Sequence, residues 1–192
     1  MIWRITLVAM LFSGCVSNGV AQNSIAGERY SDHDAYQIYD LLLPQEEVYS
    51  FGKGTIVIRE ETEANQAVPE GCLFPDAVAQ FKDAIADYNR LNHKRWLLQR
   101  SFEIERPYEL VNSDTINSLL SGTAWEGFYQ RYPDSGGFIV FSAVGFNQER
   151  TRALVYSGSS CGNLCGSWSF HLFQKANGHW KQVPGVSCHT AS

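Results

Sequence analysis

The stretch Ser159–Ser169, SSCGNLCGSWS, constrains this chain most, because it places Cys161 and Cys165 on either side of the three residues Gly162-Asn163-Leu164. That spacing predicts a tight loop with the two sulfurs facing each other across it. Cys72 and Cys188 lie far from the loop in sequence, and Cys15 sits in the N-terminal segment. Four cysteines in an exported chain predict two bridges, with three possible connectivities. The tight loop favours Cys161–Cys165 and leaves Cys72 for Cys188. In the chain-entropy picture the short bridge contributes about 2 kcal/mol and the long one about 4 to 5 kcal/mol.

The expectation of export comes from the N-terminus. Arg4 precedes an uncharged apolar run from Ile5 to Phe12, and Ser13 to Ala21 is small and polar, which is the build of a bacterial secretory signal. The run is far shorter than the roughly 20 residues of a membrane-spanning helix, and no later stretch is long enough. Cleavage after Gly19-Val20-Ala21 would make residues 1–21 the signal. Alternatively, Phe12-Ser13-Gly14-Cys15 resembles a lipobox with phenylalanine where leucine is usual, making residues 1–14 a lipoprotein signal and Cys15 the site of a lipid anchor. Either reading withdraws Cys15 from disulfide chemistry.

Residues 22–34 are expected to form a tether and residues 35–192 a single domain, large enough to bury a core. An apolar fraction of 44% with 13% aromatics is that of a folded chain. Loss of Arg4 with the signal takes the formal net charge from −5 to −6. That sign opposes nonspecific nucleic-acid binding, which needs basic surface to displace counterions. The four cations after Glu149 (Arg150, Arg152, Lys175 and Lys181) are too scattered for a polyanion site.

Along the chain, Ser31 is the expected cap of a first helix carrying Tyr36, Tyr39 and Leu43 on one face and stopped by Pro44. Gly54–Arg59 predicts a short strand. The clearest helix is predicted from Pro75 to Leu91, with Val78, Phe81, Ile85 and Tyr88 as its apolar stripe. Trp96–Glu103 predicts a strand, Ser113 caps a short helix through Leu120, and Trp125–Tyr132 adds a further helical turn. After Gly137 the period becomes two, predicting strands over Phe138–Val144, Arg152–Ser157, Ser167–Phe173 and His179–Val183, with Asn177-Gly178 as a hairpin turn. Helices first and strands later predict an α+β fold, N-terminal helices packed on one face of a C-terminal antiparallel β-meander.

Candidate chemistry is sparse. Gly158-Ser159-Ser160-Cys161-Gly162 matches the G-x-S-x-G pattern of the nucleophile elbow, with Ser160 in the nucleophile position. The following segment predicts a strand where that motif needs a helix, and no acid follows Ser160. A hydrolase using Ser160 with His171, His179 or His189 and an upstream acid is the alternative reading. The spacing of Cys161 and Cys165 differs from that of a thioredoxin-type dithiol. Cys161, Cys165, Cys188 and His189 are a further alternative as a zinc site, without the paired C-x-x-C elements that make such sites specific. Glu60, Glu61 and Glu63 are expected in solvent. Trp168, Phe170 and Leu172 share one strand face and are expected in the core, an exposed aromatic patch being the alternative.

The blocks Val144-Gly145-Phe146-Asn147, Arg150 through Tyr156, Cys161 through Gly166, and Asn177-Gly178-His179-Trp180 resemble a group of exported bacterial proteins of unknown function. That group carries a VGFN strand, an ALVY strand, a CG-x-LCG loop and a hairpin ending in Trp. The resemblance covers Trp125–Ser192, and Trp168 and Phe170 stand where the group often has smaller residues or tyrosine. It implies a shared fold and compartment, and no activity. The sequence therefore leads to an exported, disulfide-stabilised binding or structural module of the cell envelope, with no catalytic residues and no cofactor expected.

Overall fold

Residue 137 divides the chain: before it short strands alternate with helices, and after it the backbone runs almost entirely as strand. The computed structural model describes residues 27–122 and 125–191, so the expected signal, Cys15 and the first part of the expected tether lie outside the described residues. The fold is α+β. Its order is β1 (Arg29–Tyr30), α1 (His33–Leu42), a 3-10 turn (Leu43–Gln45), α2 (Glu47–Phe51), β2 (Ile56–Arg59), α3 (Pro75–Leu91), β3 (Leu97–Leu98) and β4 (Tyr108–Val111), followed by α4 (Ser113–Leu120) and α5 (Trp125–Arg131). The strand-rich half holds β5 (Phe138–Phe141), β6 (Gly145–Phe146), β7 (Arg152–Gly162), β8 (Cys165–Ala176), β9 (His179–Val183) and β10 (His189–Ala191).

Eight strands form the main sheet, in the order β10-β8-β7-β5-β2-β4, with β6 beside β7 and β9 beside β8. The C-terminal strands are antiparallel, as expected. The sheet also takes in β2, which runs parallel to both β4 and β5, so it is mixed. Helices cover both faces where one was expected. On the first face, α1 buries Tyr36, Ile38, Tyr39 and Leu42 against Ile58, Ile139, Phe141, Val155 and Phe173. On the second, α3 packs over Val140, Leu154, Tyr156, Phe170 and Leu172, while α4 and α5 cover Val57 and Val111.

Several local expectations move by a residue. Asp32 caps α1, its Oδ1 accepting from the Ala35 N–H at 3.2 Å, where Ser31 was expected. Asn112 caps α4 in the same way through the Thr115 N–H, at 2.8 Å. The expected tether is shorter than residues 22–34, because Arg29 and Tyr30 pair with Leu97 and Leu98 and His33 opens α1. The strand expected over Trp96–Glu103 is reduced to β3, since side chains take the following amides: the Gln99 N–H donates to the Tyr36 hydroxyl and the Glu103 N–H to Asp40. In the same way the β5 ladder stops at Phe141, where Asn92 Oδ1 and the Tyr30 hydroxyl accept from the N–H groups of Ala143 and Val144.

Helix α3 has the predicted boundaries but a different stripe. Ala77, Phe81, Ala84 and Tyr88 are its buried residues, and Val78 is 46% exposed. The small residues let the helix approach the sheet closely: a Cβ on Gly145 would lie 2.3 Å from the Tyr88 nitrogen and 2.4 Å from the Ala84 oxygen. The Asn177-Gly178 turn has φ of 53° and 81°, the positive values a two-residue hairpin requires.

The bridges join Cys72 to Cys188 and Cys161 to Cys165. The first ties the residues leading into α3 to the segment between β9 and β10, where the Ser187 N–H also donates to the Cys72 carbonyl at 2.8 Å. The second crosses the tip of the β7–β8 hairpin. No helix among the described residues is long and apolar enough to cross a membrane.

Candidate functional site

Between α3 and the α4–α5 pair a strip of the second sheet face is left uncovered. Register explains its shape. Trp168 of β8 pairs with Gly158 of β7, which pairs with Val140 of β5. Arg59 follows Ile58, the last β2 residue paired with β5, and beyond it the register slips so that Glu63 meets Ser142. Trp168, Gly158, Val140 and Arg59 all line one hollow, with glycine and valine on the two inner strands. The next row is Gly166, Ser160 and Phe138. The result is an open groove of about 470 Å³, within the size range of small-molecule sites.

The walls are held in place. Arg59 donates from Nε to the Glu61 carbonyl at 2.9 Å and from Nη2 to Glu63 Oε2 at 2.8 Å. The Glu63 N–H donates to the Phe141 carbonyl at 2.7 Å, which anchors that residue to the sheet. Glu61 Oε2 accepts from both the N–H and the hydroxyl of Ser113, each at 2.8 Å, and so ties the start of α4 to this corner. The expectation that these acids lie in solvent is thus corrected: Glu61 and Glu63 are built into the rim, and burial together with neighbouring Glu61 raises the Glu60 carboxyl. Phe138 stacks on Trp125 at 5.8 Å, and Trp168 lies 6.2 Å from the Tyr156 ring. Burial, aided by Glu63, pushes the Tyr156 phenol up to about 12. Neither the Tyr156 hydroxyl nor the Ser160 hydroxyl has a hydrogen-bond partner among the described residues.

The expected core stripe divides along its length. Phe170 and Leu172 are buried under α3, whereas Trp168 is half-buried and forms the groove wall.

Ser160 lies in this groove, but the sheet separates it from the histidines proposed to serve it. His171 belongs to the opposite face, where its Nε2 lies 2.9 Å from the Ser157 hydroxyl. His189 pairs with Ser169, which pairs with Ser157, so it shares that opposite face. His179 opens β9 opposite Ala176, ten residues along β8 from Gly166, or roughly 30 Å of strand. The G-x-S-x-G segment itself continues as strand through Gly162, so there is no elbow. The zinc alternative also fails, since Cys188 is bonded to Cys72 and Cys161 to Cys165, leaving no thiolates to converge.

The opposite face holds a set of residues that sequence reasoning missed. The Gln182 amide nitrogen, a donor only, lies 3.1 Å from His171 Nδ1, which leaves the ring proton on Nε2. The imidazole therefore donates to Ser157, and Ser157 donates to buried Glu46 Oε1 at 2.5 Å. Here serine stands between the imidazole and the carboxylate, whereas a nucleophilic triad needs the imidazole in the middle. Ser157 is 1% exposed, and burial with neighbouring His189 holds the His171 ring down at about 4. The set is a closed structural relay.

A second, smaller hollow of about 270 Å³ lies at Gln66, Tyr88, Asn92 and His93. Its Asn92 side chain is spent on the Tyr88 carbonyl and on both backbone groups of Ala143, which leaves little to offer a ligand. The run Ser157-Gly158-Ser159-Ser160 opposite Gly166 was the sequence signal for the larger groove, since small residues there lower its floor. Comparison with protein-family models, with curated proteins and with solved structures finds no match to this chain.

Proposed function

We propose that this chain is an exported, disulfide-braced binding module of the cell envelope, and that the groove between α3 and α4–α5 is its ligand face. One observation carries the reading: two hydroxyls, Tyr156 and Ser160, and a half-buried indole, Trp168, converge on an open strip of rigid sheet without an internal use. Ligand sites are concave and largely pre-formed, with apolar walls and a few placed polar groups. A non-catalytic role is supported by the separation of Ser160 from every histidine on the sheet. The two disulfides support an oxidising compartment, periplasmic or extracellular. The resemblance to exported bacterial proteins agrees with this, and a lipid on Cys15 would tether the module to a membrane in place of free release.

The test is a screen of small polar fragments against the isotopically labelled protein by amide chemical shifts, run beside a fluorophosphonate probe. Shifts grouped at Arg59, Gly158, Ser160 and Trp168 with no covalent labelling are the expected result. Labelling of Ser160 overturns the non-catalytic reading, and a response confined to residues outside the groove overturns the site.

A further inference from the structure

The groove's chemistry narrows its ligand. We infer that it takes a neutral polyhydroxylated ring, a saccharide unit, with one ring face on Trp168 and its hydroxyls directed to the Arg59–Glu63 pair and to Ser160. This rests on the reading of the groove as a binding face and adds the class of molecule.

Charge argues first. The lining presents one cation and one anion already in contact, at 2.8 Å. An anionic ligand would meet the Glu63 carboxylate beside the guanidinium, and a cationic one would meet Arg59 beside the carboxylate. A neutral ligand escapes both costs and still finds charged hydrogen-bonding partners, which are the stronger kind. Arg59 has further guanidinium protons beyond those used on Glu61 and Glu63, and Glu63 Oε1 stands 3.9 Å from Arg95 Nη2. A guanidinium and a carboxylate held side by side offer a donor and an acceptor to neighbouring hydroxyls, each of which can both give and accept.

Shape argues next. Gly158 leaves the floor low beside the indole, Val140 is the side chain between it and the ion pair, and Gly162 and Gly166 keep the floor low toward the hairpin tip. A puckered ring lays its C–H groups on the electron-rich face of an aromatic side chain, while its rim of hydroxyls reaches outward to Ser160 and Tyr156. A peptide bound by strand addition needs a free sheet edge. Along both rows β7 is paired on its two sides, by β5 and β8, and at Trp168 and Ser167 β8 is paired in turn by β10. Backbone pairing is therefore closed to a peptide. A nucleotide would require a cationic lining for its phosphate, which Glu63 cancels.

The experiment titrates the labelled full-length exported protein with glucose, N-acetylglucosamine, maltose, cellobiose and chitobiose, and in parallel with citrate and a tetra-alanine peptide. The Trp168 indole N–H and the Ser160 amide should shift with at least one saccharide and with neither control. Trp168→Ala should weaken that binding about tenfold and Trp168→Phe about threefold or less, as aromatic stacking requires. Ser160→Ala, which leaves the fold intact, should weaken it about threefold. Groove shifts with citrate or the peptide alone would overturn the saccharide class while the binding face survives. No groove shift with any of the five saccharides, or saccharide binding unaffected by both Trp168→Ala and Ser160→Ala, would overturn the inference, and the fragment screen then judges the face separately.

Discussion

Ser157 and Ser160 lie three positions apart on one strand, and the sheet turns them to opposite fates. Ser157 faces the layer covered by α1 and α2, where its buried hydroxyl links His171 to Glu46. Ser160 faces the strip that α3 and the α4–α5 pair leave bare. The same side chain is a structural connector on one side and a free hydroxyl on the other. The difference teaches that on a two-sided sheet the covering layer decides what a polar residue does, and that a catalytic motif read along the strand ignores the alternation of faces.

Four measurements sharpen or break this comparison. The largest effect is expected from replacing Cys72 and Cys188 together by serine, which should cost about 4 to 5 kcal/mol of stability by denaturant titration and loosen the helix that bounds the open strip. The same change at Cys161 and Cys165 should cost about 2 kcal/mol, and an equal loss from the two pairs would contradict the chain-length argument. Second, Ser157→Val should cost about 2 to 3 kcal/mol, because it removes a hydrogen bond to the buried Glu46 carboxylate and the acceptor of the His171 N–H. Ser160→Ala should change stability by no more than about 0.5 kcal/mol; a comparable loss at both serines would erase the distinction between the faces.

Third, acid should separate the relay from the groove. The folded His171 ring is held down at about 4 by burial and His189, below its ordinary 6.5. Between those values the unfolded chain binds the proton and the folded chain does not, so this residue's stabilisation, complete above pH 6.5, is lost as pH falls through 4. Asp40 works the other way over an overlapping range, its carboxyl raised by burial to about 6. The informative quantity is therefore the difference in melting temperature between the native protein and His171→Gln, which should shift in the variant's favour from pH 7 to pH 4. A constant difference would mean that His171 is not shielded. The smallest effect is expected from Asn163→Ala in the exposed hairpin loop, which should leave both melting temperature and groove shifts almost unchanged.

Legibility followed the range of the interactions involved. Helix α3 announces itself through Pro75 and its repeating apolar residues, and the Asn177-Gly178 turn through its backbone requirement, since both are local. The stripe on α3 was misplaced because Ala77 and Ala84, weak signals in a sequence, do the close packing against Gly145 while the larger Val78 faces outward. The bridging of Cys161 to Cys165 follows from a short loop. The parallel pairing of β2 with β4 and β5 has no local signature, for Ile56 and Ile58 alternate the same way whatever their neighbours. The walls of the groove were invisible for that reason: Arg59, Val140 and Trp168 come from three different strands and meet only in the folded sheet. Glu46 escaped notice because it follows a helix stop, where a carboxylate is ordinarily solvated.

The nesting of the two bridges has a consequence for how the molecule is made. Any chain delivered end-first from its N-terminus presents Cys72 long before Cys188, 116 residues later, and Cys161 arrives in between. An oxidant that joins thiols in order of arrival would couple Cys72 to Cys161 and strand Cys165 and Cys188 with each other. The correct pattern demands that the hairpin close on itself first, or that a wrongly placed bond be exchanged by thiolate attack through a mixed disulfide. Yield of the native protein should therefore depend on an isomerase as well as on an oxidase.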